Sequence, residues 1–308
     1  MAKRKLRGVN TFEEMPVHMD GEGVEAELRA RFLNPSYRPP VLPRVAIELL
    51  ELSRREDVGI GDVVALLQKD AMLVGRVLRI ASSPMYLPTP RAAESSLQEA
   101  IVRLGLGNLR DVVVEVVLQM RIFQAKQYAR EMSRVARHAS ATAHLARLLG
   151  RRSGAGGDLA FLAGLFHDVG VAGALVALGD VAEGQPVPRL ADVWTAIDAV
   201  HPELSGVMID LWGLPGELRR AAADHRGLAE LETVEPLAAV ACIAEHLANR
   251  LGWSVHSLSG TEPEKIGLDR VRPEDLERAA KELSLSDSHM ASLENAGGIV
   301  LRQLAGSL

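Results

Sequence analysis

In the stretch Phe161-Leu-Ala-Gly-Leu-Phe-His-Asp-Val-Gly170, an apolar run ends on an adjacent imidazole and carboxylate and then on a glycine. The run predicts a buried helix, and a His-Asp pair at its end can grip a divalent metal with both side chains together. Four other segments carry a His, Asp or Glu where such a site needs one, so this stretch bears on the chemistry as well as on the fold.

The surrounding chain has 308 residues, of which 47% are apolar, 24% charged and 4% aromatic. Its length allows two domains, or one large helical unit of two lobes. Packing that relies on Ala, Leu and Val favours helix over a β-sandwich or barrel. A formal net charge of -5 argues against a protein built to coat nucleic acid. The single cysteine, Cys242, excludes an internal disulfide and any Cys-based zinc module, and fits a reducing compartment. Within Leu237-Ala-Ala-Val-Ala-Cys-Ile-Ala244 it is expected to be a buried thiol. No apolar run of about 18 residues stands out, so no membrane span is expected. The basic start, Met1-Ala-Lys-Arg-Lys-Leu-Arg7, lacks the apolar segment of a signal peptide and reads as a solvated tail. A cytoplasmic location is the expectation.

Apolar residues recur at helical spacing along most of the chain, and no segment reads as an alternating strand. The fold class is therefore all-α. Residues 1–39 are expected to be a flexible segment with one short helix, Val24–Leu33, ended by Asn34-Pro35. A first lobe, about 40–127, carries helices Pro43–Ser53, Ile60–Lys69, Ala71–Ala81, Ser96–Leu104 and, after Gly105 and Gly107, Leu109–Phe123. A second lobe, about 128–252, carries Tyr128–Leu149, Asp158–His167, Leu190–Val200, Pro202–Trp212, Pro215–His225 and Pro236–Leu251. Arg151-Arg-Ser-Gly-Ala-Gly-Gly157 reads as a loop by composition. Residues 253–308 form a helical extension with segments near Pro273–Leu283 and Asp287–Leu304, expected to cap the second lobe.

Helical phase selects the polar residues that can face one another, because positions i, i+3, i+4 and i+7 share a face. His138 shares a stripe with Thr142, Leu145 and Leu149 and points inward, whereas His144 lies with Ser140, Arg147 and Arg151 and is expected to face water. His201 precedes Pro202, read as the first residue of a helix, and falls on the face of Leu204, Met208 and Leu211. The helix dipole there would disfavour an imidazolium and keep the metal-binding form. His225 continues the stripe Leu218, Ala221 and Ala222, with Asp224 nearer the edge. Glu245 lies on the flank of a buried face and His246 points away. The candidate metal ligands are His138, His167, Asp168, His201, His225 and Glu245. Each taken alone has an ordinary structural explanation, but six on inward faces would cost several kcal/mol per buried group without pairing or metal. Oxygen and imidazole donors without thiolate suit Fe, Mn, Mg or Zn.

His138 with Ala139-Ser-Ala-Thr-Ala-His144, followed by Gly164-Leu-Phe-His-Asp-Val-Gly170, resembles the HD phosphohydrolase superfamily. Its ligands are a His, a His-Asp pair and a later acid, here aligned with Glu245. The closer similarity is to the HDOD domain, the HD-related output domain of bacterial signalling proteins. It is carried in order by Leu42-Pro43, Leu66-Leu-Gln-Lys-Asp70, Val77-Leu-Arg-Ile-Ala-Ser82, Ala100-Ile-Val-Arg-Leu-Gly105 and Trp212-Gly-Leu-Pro215, and covers about residues 40–252. The resemblance implies a two-lobed helical HDOD/HD-like bundle. The lysine of active relatives after the His-Asp segment is Val171 here, and their tandem histidines appear as Asp224-His225. No Gly-Tyr-Pro follows His225. The implied function is signal transduction through a protein partner, with a divalent metal in the core. A metal-dependent phosphohydrolase is the alternative. A nucleic-acid regulator would rest on the basic start and on Arg103, Arg110, Arg151 and Arg152, which read instead as solvated helix ends.

Overall fold

The computed structural model describes residues 21–306 except 35–36, 38–39, 54, 56, 84, 87–95, 181–185 and 256–270. The basic start therefore lies outside the described residues. Among those described, the secondary structure is helical throughout, with no strand.

The chain opens with α1 (Gly21–Leu33), whose Val24, Leu28 and Phe32 recur every fourth residue and are buried against α9. This part of the N-terminal segment, expected to be flexible, is built into the core. Phe32 approaches Gly173 so closely that a Cβ there would stand 2.9 Å from its ring.

The first lobe contains α2 (Arg44–Leu52), α3 (Ile60–Leu67), α4 (Ala71–Ala81) and α5 (Leu97–Arg121). Asp70 caps α4 by accepting the amides of Met72 and Leu73 at 3.0 and 3.1 Å. Ser96 and Glu99 form a capping box at the start of α5. Gly105, at φ 71°, bends α5 at the place where the sequence suggests a break between two helices.

The second lobe is assembled around α6 (Ala129–Ser153), which runs past the expected end at Leu149 and stops at Gly154, φ 71°. A short 3-10 turn, Gly157–Leu159, leads into α7 (Ala160–Phe166), then α8 (Val169–Gly179), α9 (Leu190–Leu211), α10 (Gly216–Asp224), a second 3-10 turn, Leu228–Glu230, and α11 (Pro236–Arg250). The extension supplies α12 (Pro273–Glu282), packed on α11, and α13 (Asp287–Ala305), packed on α6.

Two elements differ from expectation. The stretch after the His-Asp pair, where the periodicity predicts no helix, forms α8. Together with the segment before it, it is apolar enough over Gly157–Gly179 to pass for a membrane span by length and composition, yet 89% of its most apolar 18-residue stretch is buried inside the protein. The two helices expected on either side of Pro202 are one continuous α9. A proline inside a helix removes the amide that would bond the carbonyl four residues back, here Asp198. That carbonyl receives Nδ1 of His201 at 2.8 Å instead, so the helix continues with its acceptor satisfied by a side chain.

Candidate metal centre

Five helices and one turn converge in the second lobe. His138 comes from α6, His167 from the end of α7, Asp168 from the turn into α8, His201 from α9, His225 from the end of α10 and Glu245 from α11. The approach is close because Gly164 and Gly170 flank the His-Asp pair. A Cβ on Gly164 would stand 2.6 Å from the carbonyl oxygen of Thr142 in α6, and one on Gly170 would stand 2.3 Å from that of His201 in α9. Ser205 of α9 pins the turn between them, accepting the amide of Gly170 and donating to the carbonyl of His167, each at 2.8 Å.

All four imidazoles are oriented by one device. Nδ1 of His167, His201 and His225 lies 2.8 Å from the carbonyl oxygen three residues earlier, that of Gly164, Asp198 and Ala222. Two of these carbonyls belong to C-terminal helical turns, where acceptors lack a continuing amide, and the third is freed by Pro202. Nδ1 of His138 lies 2.9 Å from the carbonyl of Trp253. A carbonyl only accepts, so every Nδ1 donates, and in the neutral imidazole the Nε2 lone pair is then directed into the site.

These lone pairs face one another and face carboxylate oxygens. Nε2 of His138 is 3.2 Å from Nε2 of His167, and Nε2 of His201 is 3.3 Å from that of His225. Asp168 spans the two pairs. Its Oδ2 lies 3.5 and 3.3 Å from His138 and His167, and its Oδ1 lies 3.2 and 3.6 Å from His201 and His225. Oε2 of Glu245 is 3.8 Å from His225. Oδ1 of Asp168 and Oε2 of Glu245 are buried without a hydrogen-bond partner. A cluster made only of acceptors needs shared protons or a cation at its centre. Two trios meet the spacing for metal, His138–His167–Glu245 and Asp168–His201–His225, with donor atoms in each within 4.8 Å of one another. The nitrogen and oxygen donors fit a divalent ion of the Fe, Mn, Mg or Zn kind.

Burial works against ionisation of Asp168, but the facing His167 and His201 hold its carboxyl well below the usual range. Glu245 is likewise opposed by burial and held down by Arg226 and then His225. Arg226 pairs through Nη2 with Oε1 of Glu245 and through Nη1 with Asp198 at 3.1 Å. Asp198, pushed up by burial, accepts His201 through its backbone and Arg226 through its side chain. Helical phase singled out neither Arg226 nor Asp198. The available signals were adjacency to His225 and a place three residues before His201.

The structure brings all six sequence candidates into one interior. Two positional expectations are corrected. His201 is not at a helix N-terminus, so the Asp198 carbonyl, rather than a helix dipole, fixes its metal-binding tautomer. Glu245 lies fully inside rather than on a flank. Outside the centre, His144, expected in water, is buried 3.7 Å from Glu115, which also receives Ser140 Oγ, and its ring meets Phe161 edge-on at 5.2 Å. α6 packs against both α5 and α11, so Ser140 and His144 of its polar stripe are internal. Arg110, expected on a solvated helix end, is buried too and pairs with Asp111.

The all-helical bundle and its inward-facing His-Asp pair agree with the resemblance drawn from the sequence. A family model for the HDOD domain matches residues 40–228, and the chain belongs to that family. A curated protein of uncharacterised function from Treponema pallidum (strain Nichols) is 26% identical over 220 residues, covering 67% of this chain and 41% of its own length. The chain thus spans less than half of that relative. Three solved structures share the fold at low identity. A candidate metal-dependent phosphohydrolase from Shewanella amazonensis SB2B gives a TM-score of 0.60 at 21% identity, covering 90% of this chain and 99% of its own. An HDOD domain protein of unknown function from Geobacter sulfurreducens gives 0.60 at 20%, covering 91% and 99%. A candidate signal transduction protein from Marinobacter aquaeolei VT8 gives 0.58 at 16%, covering 95% and 66%.

Proposed function

We propose that this protein is a cytoplasmic signal-transduction component that acts through a protein partner bound by its helical HDOD domain, with a two-metal centre fixed in the core. The observation that carries the reading is the enclosure of the site. The six ligands expose between 0 and 4% of their surface. With its ligands so buried, the centre offers a substrate little direct access from solvent, which suits a structural or regulatory metal site. Val171, where active relatives of the superfamily carry lysine, is also buried. The HDOD membership and the signal-transduction name of one structural neighbour agree with this reading.

A second reading, a metal-dependent phosphohydrolase, is favoured by one observation. Asp168 offers one oxygen to each histidine pair, so it would help to hold an ion at either one. Divalent ions, when bound, supply Lewis-acid polarisation of a phosphoryl oxygen. The chain's own part is to hold them, with each imidazole locked by its Nδ1 bond and Glu245 locked by Arg226.

Elemental analysis of protein purified without chelator, beside a His167→Ala variant, decides between them when joined to a phosphodiester turnover assay with added Mn or Fe and to affinity capture from the native host. Metal in the wild type, its loss in the variant, negligible turnover and a retained partner are expected. Robust turnover that disappears with His167 would transfer the assignment to the hydrolase. A metal-free wild type that ignores added Mn and Fe would remove the metal from both.

A further inference from the structure

A cavity of about 440 Å³ opens between α5, α6 and the start of α7, and none of the six metal ligands lines it. Its volume falls within the roughly 300–1,000 Å³ typical of small-molecule sites. Arg110, Arg147 and Arg151 are on its wall. Arg110 and Arg147 reach the same carboxylate from two sides, Arg110 through Nε and Nη2 to Oδ1 of Asp111 at 2.9 and 2.7 Å, and Arg147 through Nη2 to Oδ2 at 3.1 Å. Arg151, one helical turn beyond Arg147, is exposed and makes no ion pair among the described residues. The other acid on the wall is the exposed Asp158, so three guanidiniums stand against two carboxylates.

Part of the lining is main chain, on α5 and at the end of α6. Gly105, Gly107 and Gly154 line the cavity, and a Cβ on any of them would meet no atom within 4 Å. The positive φ of Gly105 and Gly154, 71° each, explains glycine there. Gly107 has helical backbone and open space beside it, so neither conformation nor packing calls for a residue that forms helix poorly. The open space leaves the main chain at Gly107 accessible to a ligand.

We infer that this cavity binds a small phosphorylated molecule of mononucleotide size, with its phosphoryl group on Arg151 and Arg147 and its body against α5 at Gly107. The guanidinium fork matches phosphate oxygens and gives the site its preference for an anion. Isothermal titration of the full chain with AMP, GMP and inorganic pyrophosphate tests the assignment. At least one probe binds with Kd below ~1 mM, Gly107→Leu abolishes that binding at an unchanged or higher melting temperature, and Arg151→Ala weakens it about tenfold and flattens its salt dependence. AMP or GMP binding without pyrophosphate marks a nucleotide site, and pyrophosphate alone marks a simpler phosphate. If all three probes fail below ~1 mM, or if Gly107→Leu and Arg151→Ala both bind like the wild type, the site is overturned. Should Gly107→Leu misfold, Arg151→Ala decides alone, since its exposed side chain has no ion-pair partner among the described residues.

Discussion

Arg226 touches two acids, and through them two histidines. Its Nη2 neutralises Glu245 beside His225, and its Nη1 holds Asp198, whose carbonyl receives His201. Burial lowers the affinity of this guanidinium for its proton, but Glu245 and Asp198 more than reverse that, so it is a permanent cation. Removing one partner of a buried pair strands the other's charge. Arg226→Leu is therefore expected to destabilise the metal-free chain by about 3 kcal/mol. A metal ion would then take over the neutralising role of Arg226 at Glu245, so Mn should raise the variant's melting temperature more than that of the wild type. Equal shifts in parallel thermal melts would show that Arg226 does not restrain Glu245. Sequence phase found His138 because its stripe is apolar. It missed the burial of His144 because a polar stripe on a helix says nothing about whether a second lobe will cover it.

At the scale of elements, Pro202 exchanges a helix hydrogen bond for an oriented ligand. Pro202→Ala returns an amide to α9 that competes with His201 Nδ1 for the carbonyl of Asp198. The variant is expected to gain up to about 3 kcal/mol of stability and to lose tenfold or more in metal affinity. Denaturant melts and competitive metal titration read the two effects separately, and unchanged metal affinity would refute the role given to the proline. A second element-level contact closes the far side of the site. The buried Asp275 of α12 accepts the amides of Gly227 and Ala229 at 3.1 and 2.9 Å and pairs with Arg272 at 2.8 Å, which anchors the turn that follows His225 and Arg226. Burial opposes its ionisation, but Arg272 and the two amides hold the carboxyl below the ordinary value. A depressed folded-state pKa contributes stability that is fully present above the unfolded value, about 3.9, and is lost as pH falls through the folded one. Asp275→Asn should thus cost about 2 kcal/mol at neutral pH, with the gap to wild type closing below the ordinary aspartate range. A gap that stays constant in melts down to pH 3 would contradict it. Helix boundaries fell within a few residues of the periodicity. Joining across Pro202 and the extra helix α8 did not, because a proline's lost bond can be replaced by a side chain and a wholly apolar run has no period to read.

For the molecule as a whole, the second lobe encloses an acceptor-rich centre that is stable only with a cation or with protons in it. Metal that binds the folded chain alone adds stability by mass action, about 2.7 kcal/mol when free metal is a hundredfold above Kd. Chelator treatment should therefore lower the wild-type melting temperature, Mn or Fe should restore it, and His167→Ala should be insensitive to both. A wild type indifferent to chelator would mean that shared protons satisfy the cluster instead. By itself the sequence determined the all-α class, the two-lobed order of helices and the six inward residues, because apolar period and stripe membership are local properties of the chain. Only the tertiary structure decided that the six divide into two trios with Asp168 reaching the histidines of both, that Arg226 and Asp198 support them, and that His144 and Arg110 are internal. Those facts depend on which helices meet. That is set by packing across the molecule, at glycines such as Gly164 and Gly170 where two backbones come within reach.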